Sequence, residues 1–245
     1  MTRREHEGAE FASRPGGASD PRTAVPAAAI DYRQARFLTS VANLRDLPAD
    51  RGREVAFAGR SNAGKSSAIN ALTSRRALAR TSRTPGRTRL INYFALDEDR
   101  RLVDLPGYGY AKVPRAMSRE WGVLVGAYLE SRESLAGVVV LMDIRHPLTE
   151  LDQTLLDWCI AADVPILAVL TKADKLASGR RGAALSEVRG RLARYGDRAS
   201  VIAFSATKRI GRLELSDRLD RWLGRGQGLD TPRRKENAPA IRVKD

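Results

Sequence analysis

Apolar and polar positions along the chain fall into blocks that switch between two periods. Residues 54–59 (Glu-Val-Ala-Phe-Ala-Gly) are almost continuously apolar and end in glycine, which predicts a short buried strand. A helix is expected from Lys65 to about Ser74, with Ala68, Ile69 and Leu72 facing inward. Residues 90–96 read as a strand, Asp-Glu-Asp-Arg at 97–100 as a turn, and 101–104 as a second strand, together a hairpin. Between 118 and 132, Trp121, Leu124, Val125, Tyr128 and Leu129 recur on one helical face. The apolar run 137–143 predicts a strand covered on both sides. Residues 149–162 are helical again, with Leu151, Leu155, Trp158 and Cys159 inward and Thr149 as the cap. Then come a buried strand at 165–170, an arginine-rich helix at 184–195 and a strand at 201–204. A last helix at 210–223 faces in through Leu213, Leu215, Leu219 and Leu223. Strands alternating with helices predict an α/β fold: a mostly parallel sheet with helices on both faces.

The junction between the first strand and the first helix carries the clearest chemistry. Gly59, Arg60, Ser61, Asn62, Ala63, Gly64, Lys65 and Ser66 match G-x-x-x-x-G-K-[ST] in the strand–helix context that this motif requires. Glycines let the backbone curl so that its N–H groups point at phosphate oxygens, and the helix N-terminus adds partial positive charge. Lys65 can then reach β- and γ-phosphates, and the Ser66 hydroxyl can ligate Mg2+. Asp104, Leu105, Pro106 and Gly107 end the second hairpin strand. An aspartate there can hold Mg2+ through water, and Gly107 lets a backbone N–H approach the γ-phosphate.

Two later strand ends bear on the base. Thr171, Lys172, Ala173 and Asp174 resemble the N-K-x-D motif of GTP-binding proteins, with Thr in place of Asn. Asp174 can accept two hydrogen bonds from guanine N1–H and N2–H2, donors that adenine lacks in that arrangement. The Lys172 stem can pack on the base or cross the nucleotide pocket, and Thr171 replaces only part of the hydrogen bonding of Asn. Phe204, Ser205 and Ala206 resemble the short S-A motif whose backbone N–H meets guanine O6. All four signals lie at strand C-terminal ends, the edge where sheets of this kind bind ligands.

Charge changes the picture only locally. The chain has 245 residues, 43 Lys+Arg, 29 Asp+Glu and a formal charge of +14. The arm 1–29 is neutral, rich in Ala, Gly and Pro, and reads as disordered; so does the basic tail 224–245. Most of the excess therefore falls in 30–223, densest at 75–89 and again among Arg180, Arg181, Arg189, Arg191, Arg194 and Arg198. Such clusters suit a polyphosphate backbone, or serve only as a solvated face. One cysteine, Cys159, rules out an internal disulfide, and two histidines argue against a histidine metal cluster. No apolar run reaches the ~18 residues of a membrane span, and the N-terminus lacks the apolar core of a signal peptide, so a cytoplasmic protein is expected.

Taken in order, G-R-S-N-A-G-K-S-S, S-R-T-P-G-R-T, D-L-P-G-Y-G-Y-A, T-K-A-D and F-S-A closely resemble the EngB family of small GTPases, over about residues 30–223. The resemblance implies a three-layer P-loop GTPase fold with one antiparallel strand in the sheet. It implies Mg2+-dependent GTP hydrolysis in a monomer, a role in assembling the large ribosomal subunit with its RNA, and a requirement in cell division and septation. By position it makes Gly86, Arg87, Thr88, Arg89 and Leu90 the first switch and Asp104 to Gly107 the second. It gives Mg2+ to Ser66 and Thr88, a choice between Thr84 and Thr88 that chemistry alone leaves open.

Ras-type GTPases place a water-orienting glutamine just after D-x-x-G; here Tyr108 stands there, and a phenol that reaches water is not an equivalent amide. Slow intrinsic hydrolysis, below about 0.1 s⁻¹, is expected. Lys65, Thr88, Asp104, Gly107 and Asn62 form the expected catalytic set. Asn62 either helps bind K+ or only braces the loop. Tyr93, Tyr108 and Tyr110 are aromatic groups able to stack on RNA bases, with core packing favoured for Tyr93. The competing readings are a P-loop ATPase, in which Asp174 would be structural only, and a non-enzymatic RNA chaperone, which would not need Lys65, Ser66 and Asp104 together.

Overall fold

The computed structural model describes residues 30–79, 90–109 and 115–224. Among these residues run β1 (Arg36–Val41), β2 (Arg53–Gly59), α1 (Lys65–Thr73), β3 (Ile91–Ala95), β4 (Arg100–Asp104), α2 (Arg115–Ser131), β5 (Leu135–Asp143), α3 (Glu150–Ala161), β6 (Ile166–Thr171), α4 (Ser178–Leu192), β7 (Ala199–Ala203) and α5 (Arg212–Leu223). The strands form one sheet in the order β1-β3-β4-β2-β5-β6-β7. β3 is antiparallel to both of its neighbours, and the other pairings are parallel. The hairpin β3–β4 sets Asn92 opposite Asp104 and Ala95 opposite Arg101.

The pleat explains why the central strands are apolar throughout. In β5, Val138, Val140 and Met142 join the cluster on one face, while Val139 and Leu141 join the cluster on the other. β6 divides in the same way, Ile166, Ala168 and Leu170 against Leu167 and Val169. The first face is covered by α2 (Val125, Tyr128, Leu129), α3 (Leu155, Leu156, Cys159) and α4 (Val188, Leu192). The second is covered by α1 (Ala68, Ile69, Leu72) and α5 (Leu215, Leu219, Leu223). This is the expected three-layer α/β architecture. No helix among the described residues is long and apolar enough to cross a membrane.

At the N-terminal edge of the sheet, Glu54 is fully buried and accepts hydrogen bonds from Arg101 (3.0 Å), Arg132 (2.6 and 2.9 Å) and the Tyr128 hydroxyl (3.2 Å). The two guanidiniums also donate to the carbonyls of Pro48, Ala49 and Arg51, so the loop before β2 is fastened to β4 and to the end of α2.

Three expectations need correction. Leu213 points to solvent, 76% exposed; α5 faces in through Leu215, Leu219 and Leu223 only. The arginine-rich helix begins at Ser178, six residues earlier than its apolar period indicates, and Tyr195 falls in the 3-10 turn Ala193–Arg198 beyond its end. Its first turns carry Gly179, Arg180, Arg181 and Gly182, which offer no apolar period to detect. β1 was not anticipated at all. It is an edge strand with Phe37 and Leu38 both exposed and a register shift between Phe37 and Thr39, so the alternation that marks a half-buried strand is missing.

Candidate nucleotide site

β2 delivers the phosphate loop to the carboxyl edge. A Cβ at Gly59 would lie 2.7 Å from the Leu141 carbonyl oxygen, so glycine is what lets β2 end flush against β5. Asn62 (φ 65°) and Gly64 (φ 93°) then take left-handed conformations and turn the chain into α1, with Ala63 N–H donating to Arg60 O at 2.9 Å. The opening amides of α1 have no intrahelical acceptor and are available to an anion.

β4 brings the second segment alongside. The Lys65 ammonium forms an ion pair with the Asp104 carboxylate, both side chains largely buried. Leu105 N–H donates to Phe57 O (3.0 Å) and Ser61 N–H to Tyr108 O (2.8 Å), so Asp104 to Gly107 runs along the phosphate loop. Ser61, Asn62, Lys65, Ser66, Asp104 and Gly107 line a cavity of about 1360 Å³, which Leu90 and Lys172 also border. Leu105 is fully buried, so its side chain belongs to the core and only its backbone reaches the site.

β6 and β7 supply the other end. The Thr171 hydroxyl lies 2.5 Å from Ala63 O and 3.0 Å from Met142 O, so it stitches β6 to the phosphate loop in spite of lacking an amide. Lys172 has a left-handed backbone (φ 56°) and crosses to the loop, its Nζ 2.8 Å from Asn62 O and 3.0 Å from Asp143 Oδ2. Ala173 N–H donates to Phe204 O (3.0 Å), which joins the two strand ends. The Ser205 hydroxyl donates to Asp174 Oδ1 at 2.6 Å, and this bond is the main cause holding the Asp174 carboxyl below its ordinary range. Asp174 is therefore an anion at neutral pH. Phe204 is buried against α1 and α5 and offers only backbone to a ligand, while Ala206 is exposed beside Ser205. Asp174 and Ser205 do not line the cavity; Asp174 lies two residues beyond Lys172, and Ser205 is brought beside it by the Ala173–Phe204 bond.

Gly86, Arg87, Thr88 and Arg89, with Thr84 and Tyr110, lie outside the described residues, as do the arm 1–29 and the tail beyond Gly224. Tyr108 does not present its phenol to water: it is 3% exposed and donates to Asp152 Oδ1 at 2.7 Å. Burial, and then the Asp152 charge, push that phenol well above its ordinary range. Tyr93 is wholly buried, in the core position favoured for it, and Trp158 is buried as well.

The motifs did not reveal Asp143, Asp152 or Trp121. Asp143 closes β5 at the same edge, where Arg145 grips it at 2.9 and 2.6 Å and holds its carboxyl far below the usual range. An acid ending the apolar run 137–143 was the available signal. Asp152 and Trp121 reach the site only through tertiary contacts.

Residues 54–172 match the family described as 50S ribosome-binding GTPase. A probable GTP-binding protein EngB from Photorhabdus laumondii subsp. laumondii is 57% identical over 192 residues, 78% of this chain and 91% of that protein. Among solved structures, a probable GTP-binding protein engB superposes with a TM-score of 0.56 at 20% identity, covering 69% of this chain and 98% of that one. Era in complex with MgGDPNP and nucleotides 1506–1542 of 16S ribosomal RNA gives 0.54 at 19% identity, covering 74% and 60%. At these identities the two structures speak to the fold alone.

Proposed function

Because the chain belongs to the EngB family of GTP-binding proteins, we propose that it binds GTP along the carboxyl edge of its sheet, hydrolyses it slowly, and acts as a nucleotide switch in assembly of the large ribosomal subunit in the cytoplasm, on which normal division and septation depend. The observation that carries the GTP reading is the stitching of both ends of the site into one frame: Thr171 and Lys172, from the Asp174 segment, bond to Ala63 and Asn62 of the phosphate loop. A phosphate on Lys65 and a base on Asp174 would then be held by two segments bonded directly to each other.

Lys65 would exchange part of its pairing with Asp104 for the β- and γ-phosphates, and Gly107 would offer its N–H to the γ-phosphate. Ser66 and Thr88 would hold Mg2+, with Asp104 reaching it through water. The donors suit that ion, since it takes hard oxygens, and Ser66 and Asp104 line one cavity. When bound, it neutralises charge on the phosphate oxygens. Asn62 borders the same cavity, and hydrolysis faster in K+ than in Na+ would add a monovalent ion there; equal rates leave it as a brace. With the Tyr108 phenol committed to Asp152, the position after Gly107 offers no group to orient the attacking water, which supports turnover below about 0.1 s⁻¹ without a partner. A purified protein turning over many GTP per second would refute that.

The ribosomal reading rests on the family match and on the arginines at 75–89, which overlap the first switch. Arg75 and Arg76 border the cavity. Co-sedimentation with large-subunit precursors under GTP analogue, GDP and no nucleotide tests it, with salt varied. Retention under the analogue alone, weakening steeply with salt, is expected. Equal retention in all three states would remove the switch.

A further inference from the structure

Gly107 is tethered through both of its neighbours. On one side, the Pro106 carbonyl accepts a hydrogen bond from Trp121 Nε1 of α2 at 2.8 Å. On the other, the Tyr108 hydroxyl donates to Asp152 Oδ1 of α3 at 2.7 Å. The two tethers touch each other: the Tyr108 and Trp121 rings are 4.9 Å apart, and Trp121 stacks on Trp158 at 5.9 Å. Asp152 is fixed in turn. It is 1% exposed, and its Oδ2 accepts from the Thr149 N–H (2.9 Å) and hydroxyl (2.7 Å), which leaves Oδ1 for Tyr108.

We propose that Trp121 and the Tyr108–Asp152 pair are positioning residues that hold Gly107 against the phosphate end of the cavity, and so favour the triphosphate over the diphosphate. The inference rests on the GTP reading above and names what sets the second segment within it. Three observations support the direction. With both tethers made, Gly107 borders the same cavity as Lys65 and Asp104. The backbone of Tyr108 is also bonded to the phosphate loop, through Ser61 N–H at 2.8 Å. And burial keeps the phenol protonated, hence a donor, across the whole physiological range. A diphosphate lacks the group that Gly107 would meet, so loss of a tether removes binding energy from one nucleotide only.

The test uses the full-length chain and calorimetric titration with GDP and with a non-hydrolysable GTP analogue. Tyr108→Phe deletes one oxygen and keeps the ring; Trp121→Phe deletes the indole N–H. Each is expected to weaken the analogue about fivefold or more relative to GDP, and to slow single-turnover hydrolysis. Leu156→Val thins the core under the same helix without removing either hydrogen bond. It should lower the melting temperature and leave the affinity ratio unchanged. If Tyr108→Phe weakens both nucleotides equally, or neither, the tether is only structural and the proposal fails. If the unaltered protein binds neither nucleotide, the GTP reading itself falls first.

Discussion

At the scale of single residues, the proposed guanine specificity rests on Asp174, and the orientation of Asp174 on Ser205. A carboxylate can face two N–H donors of one base edge only if it stays charged and keeps its orientation. The 2.6 Å bond from Ser205 fixes its orientation and holds its carboxyl further below the ordinary range. Replacing Asp174 by Asn turns one acceptor into a donor and sets it against the guanine edge. GTP affinity should then fall by roughly 100-fold to 10,000-fold, from two charge-assisted hydrogen bonds at about 1.5–3 kcal/mol each, while a xanthine nucleotide gains. Competition titration with the two nucleotides reads the crossover. Unchanged preference would make Asp174 structural and return the ATPase reading. The same residues show why the site was legible in sequence. Gly59, Gly64, Lys65, Asp104 and Asp174 are each the residue type that one piece of chemistry demands. Thr171 was harder: as a poor substitute for Asn it looked deficient, yet its hydroxyl makes the loop contact that joins the two halves of the site.

At the scale of elements, what the sequence concealed is whatever has no period of its own. β1 lacks alternation because both of its large apolar side chains face out. The start of α4 is glycine and arginine. The tie between α2, α3 and the Asp104 segment joins residues up to 44 positions apart, which local patterning cannot register. The Glu54 cluster is hidden in the same way: a lone acid opening an apolar strand gives no hint that β4 and the end of α2 converge on it. That cluster makes a prediction about how the elements are joined. Glu54→Gln keeps shape but leaves Arg101 buried without its counter-charge and Arg132 with Asp50 alone, at 3.5 Å. Breaking a buried pair from one side costs about 3–5 kcal/mol, so the unfolding free energy from urea titration should fall by that amount, through a lower midpoint with little change in slope. Because the cluster lies at the edge opposite the nucleotide site, GTP affinity below the new midpoint should stay close to that of the unaltered protein. A loss under 1 kcal/mol would mean that the carbonyls of the 48–51 loop and Asp50, which the two arginines already meet, hold them without Glu54.

At the scale of the whole molecule, three phenols sit in the layer between the sheet and α2, α3 and α4. Tyr93, Tyr108 and Tyr128 are each pushed up from their ordinary range, first by burial and then by a neighbouring carboxylate: Glu54 beside Tyr93 and Tyr128, Asp152 beside Tyr108. The sign of the consequence follows from linkage. Unfolded, these phenols lose their protons near pH 10; folded, they keep them, so above that pH the native state binds more protons than the unfolded one. Their contribution to stability is complete below about pH 10 and is lost as pH climbs toward the folded values. Each retained proton costs about 1.36 kcal/mol per pH unit, and three together cost about 4 kcal/mol per unit. Set against a total of about 5–15 kcal/mol, this predicts cooperative alkaline unfolding roughly one to four units above pH 10. Phenolate absorbance from the three should rise in step with the loss of circular dichroism rather than ahead of it, and Tyr128→Phe should lower the slope by about one third. Smooth titration near pH 10 with the dichroism intact would mean that this layer is open to solvent, and that the core packed around Tyr108, on which Gly107 depends, is not closed.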